Sequence, residues 1–290
     1  MNQNKYTTFD YVNIFLMIAM ILITAYPIYY MIIVSISSGM AVLRGEVYFL
    51  PSGINFQAYR MVFDDPSIIR AFRNTITYTV VGTAINLMMT ALCAYPLARR
   101  SLYGKSILSF FIIFTMFFDG GLIPRYLVVH SLGMVNTIWA LFLPTAINVF
   151  YLILMRTFFE AIPEEIHESA TMDGASEFRK FIQLVLPLSL PVMATMLLFY
   201  SVHHWNSFFP ALIYLNDKAL YPLQIIIRNI VIEGEMADQV AEMAGSHGVS
   251  VVAQNFKYAF IIVAIMPIII VYPFLQKYFV QGAMLGSVKG

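Results

Sequence analysis

Apolar residues occur along this chain in six long runs that contain almost no charge. Each run can supply the roughly 20 residues that a helix needs to cross a bilayer. The predicted spans lie near 11–38, 74–98, 106–123, 136–155, 183–206 and 258–276. Prolines in several runs are compatible with such helices, because neighbouring helices satisfy the carbonyls that a proline frees. The pattern predicts an all-α, polytopic membrane protein. A count of five spans is the alternative, if Asp119-Gly120-Gly121 stops the third run from crossing.

One segment, residues 163–182, interrupts this pattern with a dense group of charges, and it is called the charged segment below. A single charge at a bilayer centre costs about 2.5–3.5 kcal/mol on insertion scales. The charged segment must therefore lie in water or against another protein. Its charged residues are Glu164, Glu165, Glu168, Asp173, Glu177, Arg179 and Lys180.

The order of residues in the charged segment predicts a helix, a turn and a second helix. Pro163 suits a first helical position, and the two glutamates that follow it complement the positive end of the helix dipole. Gly174 supplies the break, with Asp173 beside it as a cap. The second helix is amphipathic, since apolar residues recur at helical spacing at Phe178, Phe181, Ile182 and Val185.

Composition excludes several classes of function. Hydrophobic residues make up 60% of the chain and charged residues 11%, while a net charge of +1 gives no support for nucleic-acid binding. The single cysteine, Cys93, cannot form an internal disulfide.

Two short motifs fail as sites for a cofactor. Gly104-Lys105-Ser106 is not a phosphate-binding loop, because Arg99 stands where that loop needs a glycine. His167 is not followed by a second histidine at the spacing of a zinc protease, because position 171 is threonine. We therefore expect no cofactor in this chain, and an external source of energy.

The short link between the second and third spans sets the predicted orientation. Arg99, Arg100 and Lys105 lie there, and the positive-inside rule places such a link in the cytoplasm. Two crossings later the charged segment lies on the same side, and both termini are cytoplasmic as well.

Glu168-Ser169-Ala170, then Gly174, then Leu184-Val185-Leu186-Pro187 have the spacing of the EAA motif. The chain thus resembles the permease subunits of binding-protein-dependent ABC importers, with Ser169 and Leu184 as mild departures. The last five residues, 286–290, resemble the tail of MalG-type sugar permeases. The segment 119–126 resembles the LplC and YtcP subgroup of these permeases, which is associated with complex oligosaccharides.

The resemblance implies a type I importer permease fold with a first helix and outer segment (1–69), a permease core (70–281) and a cytoplasmic tail (282–290). It also implies partners: two cytoplasmic ATPase subunits that bind ATP-Mg, a second permease subunit in a heterodimer, and an extracytoplasmic solute-binding protein. The expected location is the bacterial plasma membrane.

In this family the charged segment docks on the ATPase. The resemblance implies polar contacts from Glu168, a turn at Gly174, and a cleft filled by Ile166, Phe178 and Phe181. The expected coupling residues are Ile166, Glu168, Ala170, Asp173, Gly174, Phe178 and Phe181.

The fifth span ends in a motif similar to the family's W-N-x-F pattern. Aromatic faces stack on sugar rings and amides bind their hydroxyls, so this region is a candidate substrate path. Its alternative is a set of interfacial anchors. Asp119 is a further candidate, unless it caps a helix or pairs with Arg125. The candidate residues are Asp119, His203, His204, Trp205 and Asn206.

The segment 215–257 resembles the outer loop that contacts the binding protein, and the alternative is a helix on the lipid surface. Three other functions stay open at this stage. They are a stand-alone secondary transporter, an integral membrane enzyme, and an ABC permease for a non-sugar solute. No feature of the sequence identifies the sugar.

Overall fold

The computed structural model describes the backbone of residues 7–232 and 250–287, with the side chains there except those of 43, 250–254 and 274–287. Every regular element in these ranges is a helix, which confirms the all-α prediction. The chain divides into two compact units, residues 1–68 with 227–267 and residues 69–226 with 268–290. Because compact units follow contacts rather than homology, the predicted division at 69/70 and 281/282 stays a prediction.

The first unit contains a long helix and several short ones. Helix α1 begins with a capping box in which Thr7 and Asp10 satisfy each other's backbone groups. Most of α1 exposes apolar side chains, as expected of a helix surrounded by lipid. Its last turn packs in a small core with Ala41 and Val47. The helices are α1 (Thr8–Ser35), α2 (Gly39–Leu43), α3 (Gln57–Asp64) and the first part of α15 (Ser250–Ser287).

The second unit holds most of the remaining helices. A 3-10 turn, Leu143–Thr145, follows the seventh helix, and a π-helical turn, Phe181–Val185, follows the tenth. The helices are α4 (Pro66–Ala98), α5 (Lys105–Phe117), α6 (Leu122–Ser131), α7 (Trp139–Phe142), α8 (Val149–Glu160), α9 (Glu164–Met172), α10 (Glu177–Lys180), α11 (Leu186–Leu188), α12 (Leu190–Trp205) and α13 (Phe209–Tyr214). The next helix, α14 (Leu223–Ile232), begins in this unit, and its residues from 227 onward belong to the first.

Three of the six apolar runs form single long helices, and three form helices with a sharp bend. The straight helices are Thr8–Ser35, Pro66–Ala98 and Asn255–Pro273. The bends are 115° between α5 and α6, 55° between Trp139–Thr145 and α8, and 82° between Glu177–Leu188 and α12. If each bent pair is one span, the structure has up to six spans in the described residues. The first bend falls at the predicted break, where Gly121 has a φ of +86°.

The largest core of the second unit joins α4, α8, the π-helical turn and α12. Its buried residues include Tyr95, Met155, Phe181, Val185 and Tyr200. Because Phe181 and Val185 directly follow α10, this core fixes the base of the charged segment to the helix bundle.

Candidate functional site

The charged segment folds as the predicted helix, turn and helix. Pro163 directly precedes α9, one position earlier than predicted. At the turn, Gly174 has a φ of +75°, a region that a residue with a Cβ avoids. The Gly174 N–H donates to Thr171 O at 3.0 Å and the Ala175 N–H to Ala170 O at 2.9 Å. This pair of bonds is a Schellman motif, so glycine is needed here to end α9.

The outer face of the charged segment is open to a partner. Glu168 and Asp173 are exposed, and Phe178 is 65% exposed. Ile166 is half-buried, and Met172, which the sequence did not single out, is 90% exposed. Acidic and apolar side chains thus share one surface at the tip.

Two of the expected coupling residues point into the protein instead. Ala170 is 9% exposed and Phe181 is 6% exposed. The Phe181 ring lies 5.1 Å from the ring of Tyr95 in α4. Phe181 therefore anchors the charged segment to the core, and the expectation that it fills a cleft of the ATPase is wrong. The helical spacing of the apolar positions did not distinguish an inward face from a docking face.

Ion pairs join the charged segment to the basic link after α4. Arg99 Nη1 lies 3.2 Å from Glu164 Oε1 at the start of α9. Beside it, Lys105 Nζ lies 2.8 Å from Glu160 Oε1 at the end of α8. The structure therefore brings the basic link and the charged segment to the same end of this unit, as the predicted orientation requires.

A polar cavity of about 550 Å³ opens between the ends of α4 and α8 and the start of α9. His167 lies in its wall and is only 3% exposed. Burial, and then the positive charge of Arg99, lower the pKa of His167 below its usual 6.5. His167 Nδ1 has no hydrogen-bond partner among the described residues. The buried imidazole of α9, within the charged segment, is thus neutral.

The candidate substrate-path residues separate into exposed and buried ones. His203 and Asn206 are exposed, whereas Trp205 is 8% and His204 6% exposed. Asp119 Oδ2 lies 2.6 Å from Arg125 Nη2, and its other oxygen accepts a hydrogen bond from the backbone of the α6 start. The alternative that Asp119 pairs with Arg125 is therefore what the structure shows.

Asn86 in α4, which the sequence did not single out, organises the buried end of α12. Its Nδ2 donates to Thr145 O at 2.6 Å and to Ala146 O at 2.9 Å. These carbonyls are freed by the bend before α8. Since both Asn86 N–H groups are used, its Oδ1 is the acceptor for His204 Nε2 at 2.5 Å. His204 therefore carries a proton on Nε2 and serves the packing of these helices.

No group of three His, Cys, Asp or Glu side chains suited to a metal ion occurs among the described residues. The candidate site consists of the exposed tip of the charged segment and a set of polar residues within the bundle.

Comparison with known proteins gives a consistent result. The family model described as "Binding-protein-dependent transport system inner membrane component" matches residues 7–284. The polygalacturonan/rhamnogalacturonan transport system permease protein YtcP of Bacillus subtilis (strain 168) is 43% identical, over 93% of this chain and 94% of that protein. The protein LplC of the same strain is 44% identical over 100% of this chain and 97% of its own length.

A crystal structure of a bacterial ABC transporter involved in the import of the acidic polysaccharide alginate contains a similar chain. The TM-score is 0.86 with 33% identity, covering 96% of this chain and 100% of the other. The predicted similarity to the LplC and YtcP subgroup is confirmed. By its sequence over nearly its whole length, this chain belongs to the family of binding-protein-dependent transport system inner membrane components.

Proposed function

We propose that this chain is the transmembrane subunit of an ATP-driven importer that moves an oligosaccharide delivered by an extracytoplasmic binding protein. The family description supports dependence on a binding protein. Two similar proteins are tied to polysaccharides: one is a polygalacturonan/rhamnogalacturonan transport permease, and the other belongs to an importer of alginate. A permease of this family is not itself an enzyme, so ATP-Mg binds to separate ATPase subunits.

The charged segment transmits the work of those ATPase subunits to the membrane helices. The single observation that carries this step is its two-sided structure. Its tip exposes Glu168, Asp173 and Phe178, while Phe181 holds its base in the core of the bundle. A partner that moves the tip therefore moves the helices that line the core. Ile166 and Gly174 complete the docking surface, one by contact and the other by shaping the turn.

The complex contains a second permease subunit in a heterodimer with this one, in the bacterial plasma membrane. The charged segment, the basic link and both termini lie in the cytoplasm. The three basic residues of the link support this orientation, because such residues are retained on the cytoplasmic side. Tyr103→Cys in a Cys93→Ser background tests this orientation, because Tyr103 lies in that link and is 99% exposed. A membrane-impermeant maleimide should label inverted vesicles and not intact cells.

His203 and Asn206 are the members of the proposed substrate path that a sugar can reach, because they are exposed at the end of α12. An imidazole and an amide can both bind sugar hydroxyls. His204 and Trp205 are buried behind these two residues, so they support the wall of the path and do not contact the sugar. Asp119 is left out of this path, because it pairs with Arg125 at the α5–α6 bend.

The proposed coupling is tested by Gly174→Asp in the full complex reconstituted in vesicles with its ATPases and binding protein. Gly133→Asp is the matched control, since Gly133 also has a positive φ, +66°, and donates its N–H to a helix carbonyl. Both variants should lose similar stability, about 1–2 kcal/mol from the left-handed backbone. Only Gly174→Asp should lose ATP hydrolysis stimulated by the loaded binding protein.

Two results would contradict the proposed function. One is full uptake by Gly174→Asp. The other is sugar accumulation by vesicles that contain this chain without nucleotide, which a secondary transporter would produce.

A further inference from the structure

Lys180 is a buried cation at the base of the charged segment. The residue is 3% exposed, and it directly precedes the π-helical turn. A buried ammonium group is tolerated only where charged or polar partners replace its water. Its Nζ has two such partners, Thr171 Oγ1 at 2.8 Å and Glu177 Oε1 at 2.6 Å. Thr171 belongs to α9 and Glu177 to α10, so Lys180 joins the two helices across the Gly174 turn.

Glu177 continues this connection into the membrane bundle. Its Oε2 accepts a hydrogen bond from the Tyr95 hydroxyl in α4 at 2.7 Å. The ring of Tyr95 is buried and packs against Phe181. Thr171, Lys180, Glu177 and Tyr95 thus form one chain of charge-assisted bonds from the end of α9 to α4, and charge-assisted bonds are stronger than neutral ones.

A second connection starts from the same part of α4. Arg99 lies one helical turn after Tyr95, pairs with Glu164 at the start of α9, and has its Nε 3.9 Å from Glu177 Oε2. Both ends of α9 are therefore tied to the last turns of α4. These contacts oppose turning or sliding of α9 relative to α4.

We propose that Lys180, Glu177 and Tyr95 are positioning residues that transmit movement of the charged segment to α4. This inference rests on the proposed function, in which the ATPase docks on the tip of that segment. The three residues do not touch the ATPase or the sugar. They keep α9, α10 and α4 moving together, so that ATP hydrolysis and sugar transfer stay linked.

Lys180→Met is the first test, because methionine keeps the length of the side chain and removes its charge. The measured quantity is sugar transported per ATP hydrolysed by the reconstituted complex with loaded binding protein. It should fall by about fivefold or more, the lower end of usual coupling between sites. A residue that only stabilised the fold would lower the amount of assembled complex and leave this ratio unchanged.

Tyr95→Phe is the second test, since it removes one hydroxyl and keeps the packing of the ring. It should also lower the ratio. The double variant should lower the ratio by less than the product of the two single effects, because both residues act through Glu177. If Lys180→Met yields no assembled complex, Tyr95→Phe decides the question alone.

Each variant has a matched control. Lys105→Met removes the ion pair between Lys105 Nζ and Glu160 Oε1, which lie 2.8 Å apart at the same end of the unit. Glu160 ends α8, so this pair does not join α9 to α10. Tyr59→Phe removes a hydroxyl that lies 2.7 Å from Ser35 Oγ in the other unit. Both controls should keep the wild-type ratio.

A wild-type ratio in Tyr95→Phe, or in an assembled Lys180→Met complex, would overturn the proposal. The Gly174→Asp variant separates this failure from failure of the proposed function. If Gly174→Asp uncouples transport and the positioning variants do not, only the positioning role is wrong. If Gly174→Asp also stays coupled, the docking surface itself is wrong.

Discussion

Replacing Asn86 with alanine should destabilise the second unit far more than replacing an exposed asparagine. Asn86 is 1% exposed and makes three contacts, to Thr145 O, Ala146 O and His204 Nε2. Hydrogen bonds between membrane helices average about 0.6 kcal/mol each and reach about 1.7 kcal/mol. Three lost contacts therefore predict a loss of about 2–5 kcal/mol in the free energy of unfolding.

The single cysteine provides the assay. Cys93 is half-buried in α4, about two turns after Asn86, and becomes reactive when α4 separates from its neighbours. A fluorogenic maleimide can follow this during heating in detergent, with one heating rate for all variants because unfolding is irreversible in many such proteins. The midpoint for Asn86→Ala should fall by about 5 °C or more.

Asn206→Ala is the control, because Asn206 is exposed and its side chain bonds, within the described part of the chain, only to Val202 O of the preceding turn. Its midpoint should stay close to that of the wild type. Asn86→Asp tests which contact matters. Aspartate could still accept the hydrogen bond from His204 Nε2, but its second oxygen would face the carbonyls of Thr145 and Ala146, to which it cannot donate. It should be at least as damaging as alanine. A midpoint for Asn86→Asp near the wild type would refute the argument that Asn86 satisfies the bend.

Three further predictions use the same melting assay. Gly82→Ala should lower the midpoint, although alanine usually stabilises a helix, because its Cβ would lie 2.6 Å from the buried ring of His204; a rise would contradict this. His167 has a lowered pKa, so its contribution to folding stability is full above pH 6.5 and is lost as the pH falls toward the folded-state pKa. The melting midpoint should therefore be lower at pH 5.5 than at pH 7.5, and this difference should be smaller in His167→Asn. Asp119→Asn should change the midpoint little, since its pair with Arg125 is exposed and exposed ion pairs contribute little to stability; a large shift would indicate a further contact.

Much of the architecture could be predicted from sequence because it depends on local properties. Long apolar runs predict spans, since each residue's transfer into lipid contributes independently of its neighbours. Gly174 predicts the turn, because the left-handed conformation that it adopts is strained for other residues. The mismatch at Arg99 excluded a phosphate-binding loop without any coordinates, because that loop needs a glycine at a fixed position.

The sequence determined less about which face of each helix meets a neighbour. Phe178 and Phe181 both lie on the apolar stripe of the second helix, yet one is exposed and the other is buried against Tyr95. Three apolar runs are also bent, and the sequence marked only the first of these bends, at Asp119-Gly120-Gly121. The helical spacing of apolar residues shows that they share one face of a helix. It does not show whether a neighbouring helix, lipid or a partner protein packs against that face.

By itself, then, the sequence determined the number of apolar runs, the water-facing charged segment, its turn and the failed match to a phosphate-binding loop at Arg99. Only the tertiary structure showed that Lys180 is buried and linked to Tyr95 through Glu177, and that Asn86 satisfies a bend in a distant helix. The physical reason is distance along the chain. Hydropathy and backbone strain are properties of neighbouring residues, whereas a hydrogen-bond partner many residues away exists only once the helices have packed.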